Sequence, residues 1–264
     1  MSINNNAIKR IAKDVKYILN NEHSLSLENI YYKHDEENVM KGYALIIGQK
    51  NTPYGYGYYF FEFNFPDNYP FSPPVVRYLT NDGTMRFNPN LYTNGKVCLS
   101  VLNTWSGEGW TSCQTIASVL IILSSILCEN PLLNEPGVQE NNTNAVNKYN
   151  YLVTYKNVEF SICKIINYIQ NYTINASTSN TIDDIAIMYK FKTIIYETFK
   201  NNKTNIVEYL NSNKIKYYKF IDKSCENIET IQKKNKFFIS MYNLTFYLEY
   251  EKLYNLVLEI NIEN

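Results

Sequence analysis

Two histidines, His23 and His34, leave this chain of 264 residues little imidazole for general-base chemistry. Both precede the second predicted strand and neither sits in a motif, which argues against a cysteine hydrolase, whose thiol wants a histidine beside it. The five cysteines, Cys98, Cys113, Cys128, Cys163 and Cys225, form no C-x-x-C pair, so neither a disulfide framework nor a zinc knuckle is expected. Apolar runs stay short of the ~20 residues that a membrane span requires. Met1 to Arg10 lacks the basic start and apolar stretch of a secretory signal. The expectation is an intracellular protein, cytoplasmic or nuclear, with no membrane partner. Charge of one sign is also absent in bulk: Lys+Arg and Asp+Glu both number 25, for a net charge of +0. Such a chain has no general attraction for nucleic acid, and any charged contact must be local.

What is present is enough to bury a substantial core, since 45% of the residues are hydrophobic. The length allows one large domain or a domain with an appendage. From Asn6 to Asn20, Ile8, Ile11, Ala12, Val15, Ile18 and Leu19 keep helical spacing, with Lys9, Arg10, Lys13 and Lys16 outside the stripe. From Ile30 the period changes to two. Val39 to Ile47 and Gly57 to Phe65 read as strands joined by the turn at 51–57, and Val75 to Leu79 as a shorter one beyond the proline-rich 69–74. Consecutive strands of this kind suggest an antiparallel meander. Ser112 is a candidate cap for a helix from Cys113 to Cys128, which Pro131 and Pro136 terminate. Beyond Gly137 the pattern is helical and rich in tyrosine, asparagine and lysine. Thr181 with Asp184 resembles a capping box, and two sets keep helical spacing: Met188, Phe191, Ile195, Phe199, and Phe237, Met241, Leu244, Leu248. The 25 tyrosines would suit an adhesive surface, although a compositional bias is the simpler account.

The most informative run spans residues 86–100, R-F-N-P-N-L-Y-T-N-G-K-V-C-L-S. Asn94-Gly95 is a strong turn signal and delivers Cys98 just past a tight reversal, with Pro89 fixing the backbone on the other side. A cysteine at such a corner is predicted to be presented rather than packed. A thiol is a competent nucleophile near neutral pH, so a site that carries an acyl group as a thioester needs no histidine beside it. Asn90 could steady an oxyanion or brace the loop.

Taken in order, these motifs resemble the ubiquitin-conjugating enzyme family over roughly the first 140 residues. Ala7 to Ile11 looks like the start of the family's first helix. Residues 65–74 match its F-P-x-x-Y-P-F-x-P-P loop, and Asn88-Pro89-Asn90 followed eight residues later by Cys98 matches H-P-N and the active cysteine. Trp110, the helix after it, Asn130-Pro131 and Glu135-Pro136 match the later elements. Asn88 replaces the usual histidine, but R-F-N-P-N, N-G-K-V-C-L-S, N-T-W and N-E-P-G resemble a divergent subfamily of larger members that keep the asparagine and remain active. Ser100 stands where many members have an acid, and Thr111-Ser112-Cys113 replaces the common S-P-A loop used in ligase docking.

The resemblance implies an α+β fold: an N-terminal helix, a four-stranded antiparallel meander, an active-site loop and packed helices over residues 1–140, then a helical C-terminal extension over 141–264, docked or separate. It implies that Cys98 accepts ubiquitin or a ubiquitin-like modifier from an activating enzyme and passes it to a substrate lysine, usually with a ligase. Asn90 would support the oxyanion or the loop, and Glu135 would orient or deprotonate the incoming amine. Lys9, Arg10, Lys13, Phe71, Ser112 and Cys113 would meet the activating enzyme and the ligase. No cofactor is implied, because ATP is spent upstream. The alternative of another class is a catalytically inactive ubiquitin-binding or scaffolding module of the same fold.

Overall fold

In the computed structural model, which describes residues 5–172, 180–221 and 236–262, the first helix α1 (Asn5–Asn20) is followed by a short α2 (Glu22–Leu27). The buried positions of α1 are Ala7, Ile11, Asp14 and Ile18, while Ala12 and Leu19 face solvent. The apolar stripe read from sequence is therefore rotated, and a carboxylate lies on its buried side. Asp14 is tolerated there because it is fully engaged. Arg10 Nε donates to its Oδ1 at 2.9 Å and the Tyr69 hydroxyl to its Oδ2 at 2.6 Å. Burial, with the bond to Asp14, pushes the Tyr69 phenol far above its ordinary range, so it stays a donor.

Four strands follow, β1 (Ile30–His34), β2 (Lys41–Ile47), β3 (Tyr58–Asn64) and β4 (Val75–Tyr78), forming an antiparallel sheet in the order β1-β2-β3-β4. The alternation predicts β2, β3 and β4, and β1 completes the four-stranded meander that the family resemblance implies. Register runs from Tyr43 opposite Glu62 to Phe61 opposite Tyr78. The central strand β3 is buried through Tyr58 to Phe63 on both faces, so Glu62 needs a partner and takes Arg77 at 2.9 Å. Thr80, fully buried, mends the sheet end by accepting the Phe60 amide and donating to the Tyr58 carbonyl.

Helix α3 (Ile116–Ile126) packs on α1 and β1. It starts later than Cys113: the cap is Thr115, whose side chain takes the Ser118 amide in a reciprocal capping box, and not Ser112. The segment 113–115 is instead held from outside, because Arg10 donates to the carbonyls of Ser112, at 2.7 Å, and Gln114. Arg10→Ala would strand the Asp14 carboxylate and free this segment. The expected cost is about 2–3 kcal/mol, measured as a lower urea midpoint, with Lys9→Ala close to neutral.

These elements belong to one compact unit of residues Met1–Gln49 and Tyr58–Cys128; a second comprises Lys50–Gly57 and Glu129–Asn264. In the second, α4 (Thr143–Lys156) continues through a widened turn at Asn157–Lys164 into α5 (Ile165–Gln170). Then come α6 (Asn180–Tyr189), α7 (Lys192–Ile221), β5 (Lys236–Ile239), β6 (Leu244–Tyr247) and α8 (Tyr250–Glu259). Its core is aromatic: Tyr217 and Tyr250 are almost fully buried with ring centroids 5.4 Å apart, and Tyr155 meets Tyr250 edge-on. Many tyrosines are thus core, not adhesive surface. Residues 50–57 dock here too, where Asn157 Nδ2 donates to the Gly55 carbonyl at 2.8 Å and the Tyr209 hydroxyl to the Thr52 carbonyl at 2.9 Å.

Among the described residues the C-terminal half is helical apart from the β5–β6 pair. The helical spacing of Phe237, Met241, Leu244 and Leu248 is a coincidence of period: β5 and β6 pair antiparallel, and Asn243 at φ +50° turns the chain between them. Met188 and Phe199 likewise fall on separate helices, α6 and α7. The side chain of Thr181, and Cys225, lie outside the described residues.

Candidate active site

The loop from Asn88 to Cys98 is built by short-range bonds that its residue types make possible. Tyr92 and Lys96 close the reversal, the Tyr92 amide donating to the Lys96 carbonyl at 3.0 Å, while Asn94 Oδ1 accepts the Lys96 amide. Gly95 sits at φ +86°, and a Cβ there would come within 3.1 Å of the Tyr78 carbonyl oxygen, so only glycine is comfortable. The turn is as predicted. Asn88 is completely buried and works as a brace: its Oδ1 takes the Asn90 amide at 2.9 Å and its Nδ2 donates to the Ile126 carbonyl at the end of α3 at 2.7 Å.

Asn90 and Cys98 hold each other. The Cys98 amide donates to the Asn90 carbonyl at 2.8 Å, and Asn90 Nδ2 donates to the Cys98 carbonyl at 2.7 Å. The sequence brings these two candidates together as the eight-residue spacing implies.

The sulfur itself corrects an expectation. Cys98 is only 3% exposed, packed and not presented. The cause lies after the cysteine: one tight helical turn at Ser100–Leu102 and a left-handed Asn103 send the chain back, so that the Thr104 carbonyl accepts from Cys98 Sγ at 3.1 Å. The Thr104 hydroxyl takes the Leu99 amide at 2.9 Å and lies 2.8 Å from the Val97 carbonyl, and Asn103 Oδ1 takes the Trp110 amide at 2.9 Å. Asn103 and Thr104 are functional positions that local patterning does not single out; the N-T-W triplet is their signal in the sequence.

Thiol accessibility can be ranked from this geometry. Cys113 is exposed, Cys98 and Cys163 are buried, and burial beside Glu159 pushes the Cys163 thiol up to about 12. Near pH 8 iodoacetamide should label Cys113 first, Cys98 more slowly, and Cys163 about 10³-fold more slowly than an ordinary thiol, because so little of it is thiolate. Thr104→Val, which strips the Leu99 amide of its partner, should speed Cys98 labelling roughly tenfold, read by peptide mass mapping.

The candidate partner residues are distributed on the first unit. Lys9 and Lys13 are exposed, and Phe71 is 76% exposed, as an anchor for another protein would be. Ser112 and Cys113 are exposed and linked to α1 through Arg10, which is itself held inward by Asp14. Trp110 Nε1 donates to the Pro70 carbonyl at 2.7 Å and its ring lies against Tyr69, fastening the proline loop that carries Phe71. Glu135 belongs to the second unit, where it is half-buried and accepts the Tyr242 hydroxyl at 2.8 Å. Tyr242 rests against the Tyr149 ring, an arrangement without a local motif to announce it. Among the described residues no group of three or more His, Cys, Asp or Glu side chains is placed to hold a metal ion, and no helix is long and apolar enough to cross a membrane.

The meander and the braced thiol loop lie within residues 10–160, which match the profile of the ubiquitin-conjugating enzymes; the chain belongs to that family. Its relatives narrow the comparison. It is 37% identical to ubiquitin-conjugating enzyme E2 Z of Xenopus tropicalis over 164 residues, 61% of this chain and 51% of that protein. The human E2 Z is 42% identical over 134 residues, 50% of this chain and 38% of that protein. The human dual E2 ubiquitin-conjugating enzyme/E3 ubiquitin-protein ligase BIRC6 is 39% identical over 137 residues, 50% of this chain and 3% of that protein. The chain thus spans about half or less of the length of these relatives.

Proposed function

We propose that this chain is an intracellular ubiquitin-conjugating transferase with Cys98 as its acceptor thiol. The observation that supports the reading best is the mutual hold of Asn90 and Cys98 inside the family-matched segment. In loading, the Cys98 thiolate attacks the thioester carbonyl of a modifier carried by the activating enzyme. The new C–S bond forms, the old one breaks, and the activating enzyme's thiol leaves. In discharge, a substrate lysine amine attacks that carbonyl, the C–N bond forms, and Cys98 is released as thiolate. The amine must lose its proton, and Glu135 is the group we assign to accept or orient it. The tetrahedral oxyanion needs a donor, which the Asn90 amide supplies after leaving the Cys98 carbonyl.

Ubiquitin or a ubiquitin-like modifier, the activating enzyme, a ligase and protein substrates are the partners of this reading. Lys9, Arg10, Lys13, Phe71, Ser112 and Cys113 form the shared docking face. The chain needs no cofactor of its own. Incubated with activating enzyme, ATP and ubiquitin, the protein should form a covalent adduct that dithiothreitol removes. Failure to charge with any of several modifiers would leave the fold as a binding scaffold.

A further inference from the structure

A cleft of about 650 Å³ lies wholly within the second unit, between the 50–53 turn, α4 and α7. That volume is in the range of sites that enclose a ligand. Its lining is rich in side-chain carboxamides: Asn147 and Asn150 from α4, Asn205 and Asn213 from α7, with Asn51 and Asn130 beside them. Charge is balanced, Lys50 and Lys216 against Glu129 and Glu208, so nothing in the cleft selects an anion such as a phosphate. A carboxamide offers a carbonyl and an N–H in the same plane and spacing as a peptide unit, and so pairs with main chain of any sequence.

The amides are also oriented. Asn213 Nδ2 donates back to the Tyr209 carbonyl at 2.8 Å and Asn205 Nδ2 to Asn202 Oδ1 at 3.1 Å, which leaves the carbonyl oxygen of each on offer. Asn150 Nδ2 is spent on the Glu129 carbonyl and Asn130 Oδ1, at 3.1 and 3.0 Å, and its Oδ1 is buried without a hydrogen-bond partner. An unmet buried acceptor is costly, and this one belongs to a residue that lines the cleft.

We propose that this cleft binds an extended peptide segment through its main chain, with Asn150 and the α7 pair Asn205 and Asn213 accepting its amide hydrogens. Balanced charge makes the charge of the peptide's side chains secondary, and Pro53, Tyr56, Tyr151 and Tyr209 offer ring surface that any extended segment can lie against.

The test pans the full chain against a phage library of random linear dodecapeptides and titrates an enriched peptide by calorimetry. The parent should enrich peptides. Asn150→Leu should weaken the chosen peptide about tenfold, as should the double change Asn205→Ala and Asn213→Ala, which alters no core residue and decides the matter if Asn150→Leu fails to fold. Methylating the peptide's backbone nitrogens should abolish binding, whereas Cys98→Ala should leave it unchanged, which separates this site from the thioester reading. No enrichment over the naive library, equal binding by the α7 double variant, or equal binding of the N-methylated peptide would each overturn the proposal.

Discussion

Cys98→Ser should convert a dithiothreitol-labile adduct into one that resists dithiothreitol, and Cys98→Ala should form none. A serine oxygen fits where the sulfur packs, so the loop survives, but an oxyester is far less reactive to thiols and amines than a thioester. Loading of the serine variant should be slow, because a hydroxyl is rarely ionised near neutral pH. The exposed Cys113 makes the experiment a fair one, since it is the more accessible thiol. If the Cys98→Ala protein still charges, the acceptor lies elsewhere and the proposed reading is wrong. Non-reducing gels with and without dithiothreitol, on all three proteins, give the answer.

Asn90→Ala carries the second largest expected effect, a fall in discharge to free lysine of about 10²-fold. Two consequences of the change differ in kind. The Cys98 carbonyl loses its 2.7 Å donor, which loosens the sulfur's position in loading and discharge alike. The tetrahedral intermediate of either half-reaction also loses its amide donor, and the loss weighs more on discharge, where a neutral amine must attack and shed its proton, than on exchange between two thiolates. Loading should therefore fall less, by roughly tenfold. Single-turnover rates for the two half-reactions separate the terms. Equal slowing of both would rule out a role for Asn90 that is specific to discharge.

How much of this was legible depended on range along the chain. The Asn94-Gly95 turn and the strands β2, β3 and β4 follow from short-range pattern and were readable as local chemistry, while the four-stranded count and the eight-residue spacing of Asn90 and Cys98 were legible through the family motif. The concealment of Cys98 was not, because it depends on a return of the chain at Asn103 that only a left-handed asparagine reveals. The α1 stripe was misjudged at Asp14, since its burial is licensed by Tyr69, 55 positions away. Near residue 240 the apolar period of a helix and the side chains of a hairpin coincide, and Asn243 decides between them through its positive φ. The tie between Glu135 and Tyr242 spans 107 positions, beyond any pattern in the sequence.

The placement of residues 50–57 bears on how the protein is made. The tip of the β2–β3 hairpin leaves the ribosome early, yet the groups that fix it, Asn157 and the Tyr209 hydroxyl, arrive more than a hundred residues later. During synthesis the hairpin strands can zip while their tip waits with the Gly55 and Thr52 carbonyls still hydrated. Closing so long a loop is slow, and it makes the final step of folding a late, non-local one. A nascent chain stopped near residue 141 would hold every strand of the meander but neither of those anchors, and it should bind chaperones longer than the finished protein does.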